Sequence, residues 1–501
     1  MSDSLLKTVP ANSLHYGGQW RKARGRSKIL VRNPATQEVL AEVPAAEEED
    51  VAAAAAAARE GFAVWASLDA AERARLMVVL AGIMRARMDD LAALESLVTG
   101  RAIREMRAQM GRIPEWLEYF AAIAQGLEGE SNRVKGGFVT LTHYEPIGVA
   151  ALLTSWNHPI LILVKKMSAA LAAGNTCLIK PSELAPVSAL ILADWCREAG
   201  FPPGVVNVVT GEGATGAAIC RAPDVGMVDL TGGTATGRKV AAIAAERLIP
   251  AMLELGGKAP IVIWDDVPLE EATAGALFAA FVASGQTCVS GTRFLVSDKI
   301  YEAFVASLKK RAEAIRVGDP SQTETDMGPV ISQASAARCH EHIATALAEG
   351  ARLVTGGGKP VLAAPFDSGN FVEPTVFADV RPEMRLFQEE VFGPVVSVTP
   401  VKSEEEAVQF ANNSPFGLGA GIWTRDVGRA HRLASAVRAG VIWINDHHKN
   451  DPRSIWGGFQ DSGLGKENGW DALKSRMRKR SVIVRTAPNF DDWFAGGARY
   501  G

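Results

Sequence analysis

A lone thiol among small, polar neighbours is the residue of this chain best suited to covalent chemistry. Cys288 stands in Gly-Gln-Thr-Cys-Val-Ser-Gly-Thr-Arg, from Gly285 to Arg293. Sulfur attacks a carbonyl carbon well once deprotonated, so Cys288 is a candidate nucleophile; the plainer reading is a small buried hydrophobe. The other cysteines are Cys177, Cys196, Cys220 and Cys339, no two form a C-x-x-C pair, and an odd total cannot all be bridged. Two further groups fit carbonyl chemistry. Glu254 lies beside Gly256 and Gly257, whose freedom would let a carboxylate swing in as a base, unless it is a surface acid. Asn157, in Trp156-Asn157-His158-Pro159, carries an amide NH2 that can meet an oxygen gaining negative charge. A capping or turn asparagine is the alternative.

Glycine-rich turns that end strands are where α/β sheets take nucleotides. Thr210-Gly211-Glu212-Gly213 and Thr231-Gly232-Gly233-Thr234 both fit, each opening a helix whose N-terminus can face a phosphate. Neither is G-x-G-x-x-G, so a structural turn fits each equally well. Lys180-Pro181-Ser182-Glu183 also follows a strand-like run. Its lysine can donate to ribose hydroxyls or phosphate, and its glutamate can accept from ribose hydroxyls. A carboxylate there repels the extra phosphate of NADP, which tilts the choice toward NAD.

These groups need a scaffold, and the hydrophobic patterning supplies one. Helical patterning covers the alanine run 51–59 and then 70–90, 90–99 and 112–125. From residue 145 strand-like runs alternate with helices: strands at 148–154, 176–180, 205–210 and 225–231, helices at 160–173, 185–199, 215–222 and from about 236. Such βαβα alternation implies a parallel sheet covered on both faces. Leu255-Gly256-Gly257 is a natural joint, after which a second series has strands at 260–264, 293–296, 351–355, 395–400 and 440–445. Helices at 269–284 and 299–315 lie between them. Alternating strands at 138–143 and 481–485 fall outside both series and suggest edge pairing in an oligomer, with a solvated hairpin as the alternative. Four aromatics in the tail, Phe490, Trp493, Phe494 and Tyr500, either dock on a neighbouring subunit or pack locally.

At 501 residues the chain exceeds what one core usually serves, so two or more domains are expected. A net charge of −3 argues against a general nucleic-acid binder. The basic cluster at 474–480 reads as a solvated helix end or turn. The start lacks the apolar core of a signal peptide, and no run is long and apolar enough to span a membrane. Without a disulfide pattern, the cytoplasm is the expected compartment.

Read together and in order, these motifs resemble the aldehyde dehydrogenase superfamily. The resemblance is carried by Trp156-Asn157, Lys180-Pro181-Ser182-Glu183, Glu254 with Leu255-Gly256-Gly257-Lys258, and Gly-Gln-Thr-Cys288. Further on it is carried by Glu389-Glu390-Val391-Phe392-Gly393-Pro394, Trp456-Gly457-Gly458-Phe459 with Ser462-Gly463, and Gly465-Lys466-Glu467-Asn468-Gly469. It implies that Cys288 is the nucleophile, forming a thiohemiacetal and then a thioester as hydride leaves for NAD. Asn157 and the Cys288 N–H would hold the oxyanion, Glu254 would activate the hydrolytic water, and Lys166 would lie near the catalytic centre. NAD(P) would meet Trp156, Lys180, Glu183, Gly213, Gly233, Thr234, Leu255, Glu390 and Phe392. Glu254 argues against a coenzyme-A-acylating relative, which needs no hydrolytic base, and the trio argues against a fold reused only for binding. No metal is implied. The fold implied is α/β, with two doubly wound parallel-sheet domains and a β-hairpin oligomerisation arm. Residues 1–126 and 147–255 would form a Rossmann-like cofactor domain, 256–470 the catalytic domain, and 127–146 with 471–501 the arm and tail of a homodimer or homotetramer.

The chain departs from that pattern in three places. Gly233 replaces a serine that touches the pyrophosphate in many relatives, and Ser155 stands where proline usually precedes Trp-Asn. Relatives acting on hydrophobic aldehydes line their entrance tunnel with aromatics, whereas this chain offers Arg112, His158 and Lys165 there, with Arg453 in a nearby loop and Trp456 as an aromatic wall. The expected substrate is an anionic aldehyde, on an aromatic or unsaturated skeleton; the alternative is that these cations face solvent or pair with acids such as Glu115 or Asp451.

Overall fold

The computed structural model describes residues 5–488 and 492–497. Its two large sheets follow from strands that are apolar on both faces. In Val149–Leu153, Val149, Ala151 and Leu153 enter one cluster while Ala150 and Leu152 enter another. That period-two division buries both sides of the strand, as a sheet sandwiched between helices requires. The alanine-rich helix Glu48–Trp65 covers one side with Val51, Ala54, Ala55 and Ala58. Helices Ala70–Ala86 and Pro114–Gln125 cover the other, with Met77, Leu80, Trp116 and Phe120. Each fully buried large side chain contributes ~1.5–3 kcal/mol of transfer energy.

The first sheet runs Gln19–Lys22, Ser13–Tyr16, Val206–Val208, Thr176–Lys180, Val149–Leu153, Val225–Thr231, Ala251–Glu254, Gly463–Leu464. Its five central strands are parallel, and antiparallel strands close both edges. The second runs Arg352–Thr355, Thr375–Ala378, Val395–Val401, Gly291–Ser297, Ala259–Ile263, Gly419–Trp423, Val441–Ile444. All its pairings are parallel except that of Arg352–Thr355. Here too Ile261 and Ile263 face one cluster and Val262 the opposite one.

The α/β architecture with two doubly wound sheets therefore stands as expected, with additions. The patterning at 251–254, 375–378 and 419–423 did not announce strands, yet all three pair on both sides, each second from a sheet edge. Gly419-Ala-Gly-Ile-Trp carries one β-branched residue, Ile422, because packing leaves little room at its glycines: a Cβ on Gly421 would lie 2.7 Å from Ile261 Cδ1. The strands outside both series, Phe138–Pro146 and Met477–Arg485, pair with each other inside the chain, from Met477↔Pro146 to Arg485↔Phe138. Glu130–Val134 completes that exposed three-stranded sheet. In the tail, Trp493 and Phe494 belong to a short 3-10 turn, and Phe490 and Tyr500 lie outside the described residues. Among the described residues no helix is long and apolar enough to cross a membrane, and no group of His, Cys, Asp and Glu could hold a metal ion.

Candidate active site

Parallel strands end on a common edge, and the first sheet uses that edge to present side chains. Val149–Leu153 leads through Ser155, Trp156 and Asn157 into helix Pro159–Ala172, with proline at its first turn. Two strands further along the sheet, Ala251–Glu254 ends on Glu254 itself. The winding direction of the sheet reverses between Val149–Leu153 and Val225–Thr231, the position at which such sheets open a crevice. Facing this edge is the start of Gly291–Ser297 in the second sheet, with Cys288 just before it.

A left-handed turn sets the thiol in place. After helix Leu269–Phe281, Ala283, Ser284 and Gly285 take φ of 54°, 55° and 71°. For the two non-glycine residues that costs ~1–2 kcal/mol each. Three hydrogen bonds hold the turn: Ala283 N–H to Glu105 Oε2 (3.1 Å), Ser284 Oγ to the Gly328 carbonyl (2.8 Å), and Ile331 N–H to Gln286 Oε1 (2.9 Å). Opposite, a Cβ on Gly257 would sit 2.4 Å from the Cys288 carbonyl oxygen, so only glycine lets the two backbones approach.

A cavity of about 790 Å³ reaches Cys288, Asn157 and Glu254 together. Trp116, Trp456, Phe278 and Phe281 form its apolar wall, and Arg112, His158 and Lys165 also line it. Arg453 does not. Its side chain is 76 % exposed and its guanidinium is bound to Asp451 in both directions (2.9 and 3.1 Å), the pairing foreseen as the alternative. Arg112 is likewise engaged, with Glu115 (3.1 Å) and the Asn450 carbonyl (2.8 Å). Lys166 is fully buried and does not line the cavity; it donates to Asp229 and to Glu467 Oε1 (2.6 Å). It supports the site from beneath.

The substitution at Ser155 acquires a physical meaning in this setting. Ser155 Oγ donates to Asn157 Oδ1 at 2.8 Å, and Asn157 Nδ2 donates to the Gln286 carbonyl at 2.9 Å. These two bonds fix which way the amide faces. They leave its second N–H unassigned on a side chain that borders the cavity.

Electrostatics make the three groups interdependent. Burial first, and the charge of Glu467 second, push the Glu254 carboxyl up to about 8, against the opposing pull of Lys166 and Lys165. Its Oε2 is buried with no hydrogen-bond partner. The Cys288 thiol, partly exposed at the cavity floor, is pushed up to about 12 by burial and then by Glu254. Burial alone would also raise Glu467, but Lys165 and Lys166 outweigh it and hold that carboxyl well below the usual carboxylate range. A proton entering this group therefore goes to Glu254. Asp229 anchors the far side, bonded to Lys166 and Arg476, all three fully buried. Glu467→Gln should cost ~3–5 kcal/mol, read as a lower denaturant midpoint, because it leaves the buried Lys165 ammonium without a carboxylate, although Lys166 keeps Asp229. An unchanged midpoint would show that Lys165 finds another partner.

The residues expected to hold a dinucleotide lie outside this cavity, apart from the strand ends that border it. Helices Gly213–Arg221 and Thr234–Glu246 begin without a side-chain cap, leaving first-turn N–H groups available to an anion. Lys180 donates to the Pro181 and Gly211 carbonyls (2.8 and 2.7 Å) and lies 3.6 Å from Glu183. Glu390 Oε1 accepts from Gly257 N–H at 2.8 Å, and a Cβ on Gly256 would meet its other oxygen at 2.4 Å. Phe392, with a left-handed φ of 56°, sets its ring edge-on to Trp156 at 5.3 Å. Thr234 Oγ1 donates to the Asp461 carbonyl, and Leu255 N–H to that of Ser462.

Several groups at the site had no assigned role in the sequence reading. Glu467 stood in a recognised motif but was given no function, although Lys165 and Lys166 called for a carboxylate. Arg101 and Glu105, spaced i,i+4 on either side of a helix start, form an ion pair in the cavity wall, the arginine buried and the glutamate partly exposed. Gln109 bonds to that arginine at 2.9 Å.

Two doubly wound sheets facing one another across a thiol, a carboxylate and an amide define an α/β enzyme suited to carbonyl chemistry. The pattern of the aldehyde dehydrogenase family matches residues 20–482, so the chain belongs to that family and is an NAD(P)-dependent oxidoreductase. It is 41% identical over 483 residues to a betaine aldehyde dehydrogenase of Vibrio vulnificus, covering 96% of this chain and 99% of the relative. It is 38% identical over 496 residues to a chloroplastic aminoaldehyde dehydrogenase of Arabidopsis thaliana, covering 97% and 98%. The NAD+ complex of an aldehyde dehydrogenase from Bacillus cereus superposes with a TM-score of 0.93 at 37% identity, covering 97% of this chain and 98% of that one.

Proposed function

We propose that this protein oxidises an aldehyde to its acid through a covalent thioester on Cys288, with NAD+ as the preferred oxidant. The convergence of Cys288, Asn157 and Glu254 on one cavity carries this reading. The thiol proton leaves to water in the cavity as sulfur attacks the carbonyl carbon. The carbonyl electron pair moves to oxygen, where the free Asn157 N–H and the Cys288 backbone N–H receive it. Bound NAD+ supplies the hydride acceptor that converts this adduct to the thioester. Glu254, as carboxylate, takes a proton from water as the water attacks the thioester and passes it to the departing sulfur, so that the acid and free thiol are released. The uncapped helix starts at Gly213 and Thr234, with Lys180, Glu183 and Glu390, suit the cofactor's phosphates and ribose hydroxyls. Glu183 disfavours the phosphate of NADP.

The substrate class is drawn from the cavity wall. The relatives' names speak of aldehydes carrying an ammonium group, and such a cation favours an open aromatic face. Here the Lys165 ammonium already lies 4.7 Å from the Trp456 ring centroid, held there by Glu467 at 2.9 Å. Arg101, Arg104 and Arg112 line the same cavity. We infer a preference for an anionic or aromatic semialdehyde over betaine aldehyde. NADH formation across an aldehyde panel, with NAD+ and NADP+ side by side, tests both levels. A carboxylated semialdehyde should exceed betaine aldehyde in kcat/KM by about tenfold, ~1.4 kcal/mol. The reverse order would sink the substrate reading, and no turnover of any aldehyde would sink the activity.

A further inference from the structure

One chain of hydrogen bonds in the cavity wall has a direction set by an arginine at its start and a neutral imidazole at its centre. His158 Nδ1 lies 2.7 Å from Arg101 Nη1 and 2.9 Å from Gln109 Nε2. A guanidinium can only donate, so Nδ1 accepts from Arg101; of the Gln109 amide, Nε2 is the nearer atom and Oε1 lies at 3.4 Å. Burial, then the charge of Arg101, holds the ring well below its ordinary protonation range, so the imidazole is neutral with its proton on Nε2. Nε2 is 3.1 Å from Thr287 Oγ1, which therefore accepts. The Thr287 hydroxyl hydrogen is left to point elsewhere, and no other acceptor among the described residues is bonded to it. Arg101 is 2 % exposed and tied through Glu105 to the strained turn before Cys288, so this relay is built into the wall. Both His158 and Thr287 border the cavity, and Thr287 immediately precedes Cys288.

We propose that Thr287 is a specificity-determining residue, its hydroxyl donating to an acceptor oxygen on the carbon next to the aldehyde. The substrate class is then a 2-oxygenated aldehyde, and His158 and Arg101 are positioning residues acting through Thr287. This rests on Cys288 being the point of attachment, since that fixes where the first carbons of the substrate lie. The donor is polarised, because His158 accepts from Arg101 while donating to Thr287. An aldehyde with only carbon at that position leaves the hydroxyl unpaired beside an apolar group, which is the configuration that discriminates.

Glycolaldehyde and propanal differ there by a hydroxyl in place of a methyl group, so the ratio of their kcat/KM values reads the contact directly. In Thr287→Val that ratio should fall about fivefold to tenfold, the size of one neutral hydrogen bond. Thr287→Ser should hold the ratio near the native value, and His158→Phe should lower it by a smaller factor. An unchanged ratio in Thr287→Val overturns the proposal, as does a serine variant that falls as far as valine. NAD+ binding and thermal unfolding of each variant establish that it is folded; valine matches threonine in shape at this half-buried position. If the native enzyme reduces no NAD+ with either aldehyde, or with any in the panel, it is the thioester reading that fails, and this proposal with it. Native turnover with an unmoved ratio sinks this proposal alone.

Discussion

Replacing Cys288 by serine should lower kcat by at least about a thousandfold while leaving NAD+ binding intact. Burial and the neighbouring Glu254 already push the thiol up to about 12. The same surroundings act on a hydroxyl whose intrinsic acidity is far weaker, so the alkoxide is never reached at neutral pH. No other cysteine can replace it. Cys177, Cys196, Cys220 and Cys339 are buried, and burial pushes each thiol upward without a cavity to admit substrate. None of the groups assigned to the cofactor bonds to the Cys288 side chain, so cofactor affinity measured by titration should be retained. Near-native NADH formation by Cys288→Ser would mean that the thiol is not the nucleophile.

How much of this was legible in the sequence depends on whether a local pattern carried it. Strands buried on both faces announce themselves as short apolar runs, and Thr176–Lys180 and Val225–Thr231 lie where the patterning put them. Gly419–Trp423 escaped because its glycines are dictated by a neighbouring strand, a constraint no local window contains. The trio proposed as catalytic was legible for a different reason. Each member sits at the end of a strand or turn in a motif whose order along the chain is itself informative.

The pairing of charges was only partly legible, with Glu115 and Asp451 open as partners but not Glu467, and it altered the substrate argument. Arg112, Lys165 and Arg453 could be named as cations from sequence, but Glu115, Glu467 and Asp451 claim them. Arg453 leaves the site altogether. Lys165 stays, and its position over Trp456 matters more than its formal charge, because it occupies the ring face that a cationic substrate would use. The relay from Arg101 through His158 to Thr287 joins residues 101, 158 and 287, whose neighbourhood exists only in the folded chain.

The second large effect is expected at Glu254, where chemistry and pH dependence can be separated. In Glu254→Gln the thioester should still form, but its hydrolysis should lose the base, lowering kcat by ~10²–10⁴-fold. A single rapid release of NADH per active site, followed by near silence, distinguishes this from a variant that cannot form the adduct. A quenched sample should contain the acyl group bound to protein. The native enzyme should show kcat rising with pH through about 8 and level above it, since a base with a raised pKa is active only once its proton has left. As pH falls through that value the carboxylate is lost and the rate with it. Glu467→Gln supplies the stricter test, because it removes a negative charge that raises Glu254 and frees Lys165 and Lys166 to pull it down. Both effects move the rising limb toward lower pH, so an unmoved or alkaline-shifted limb in that variant would assign the titration to another group.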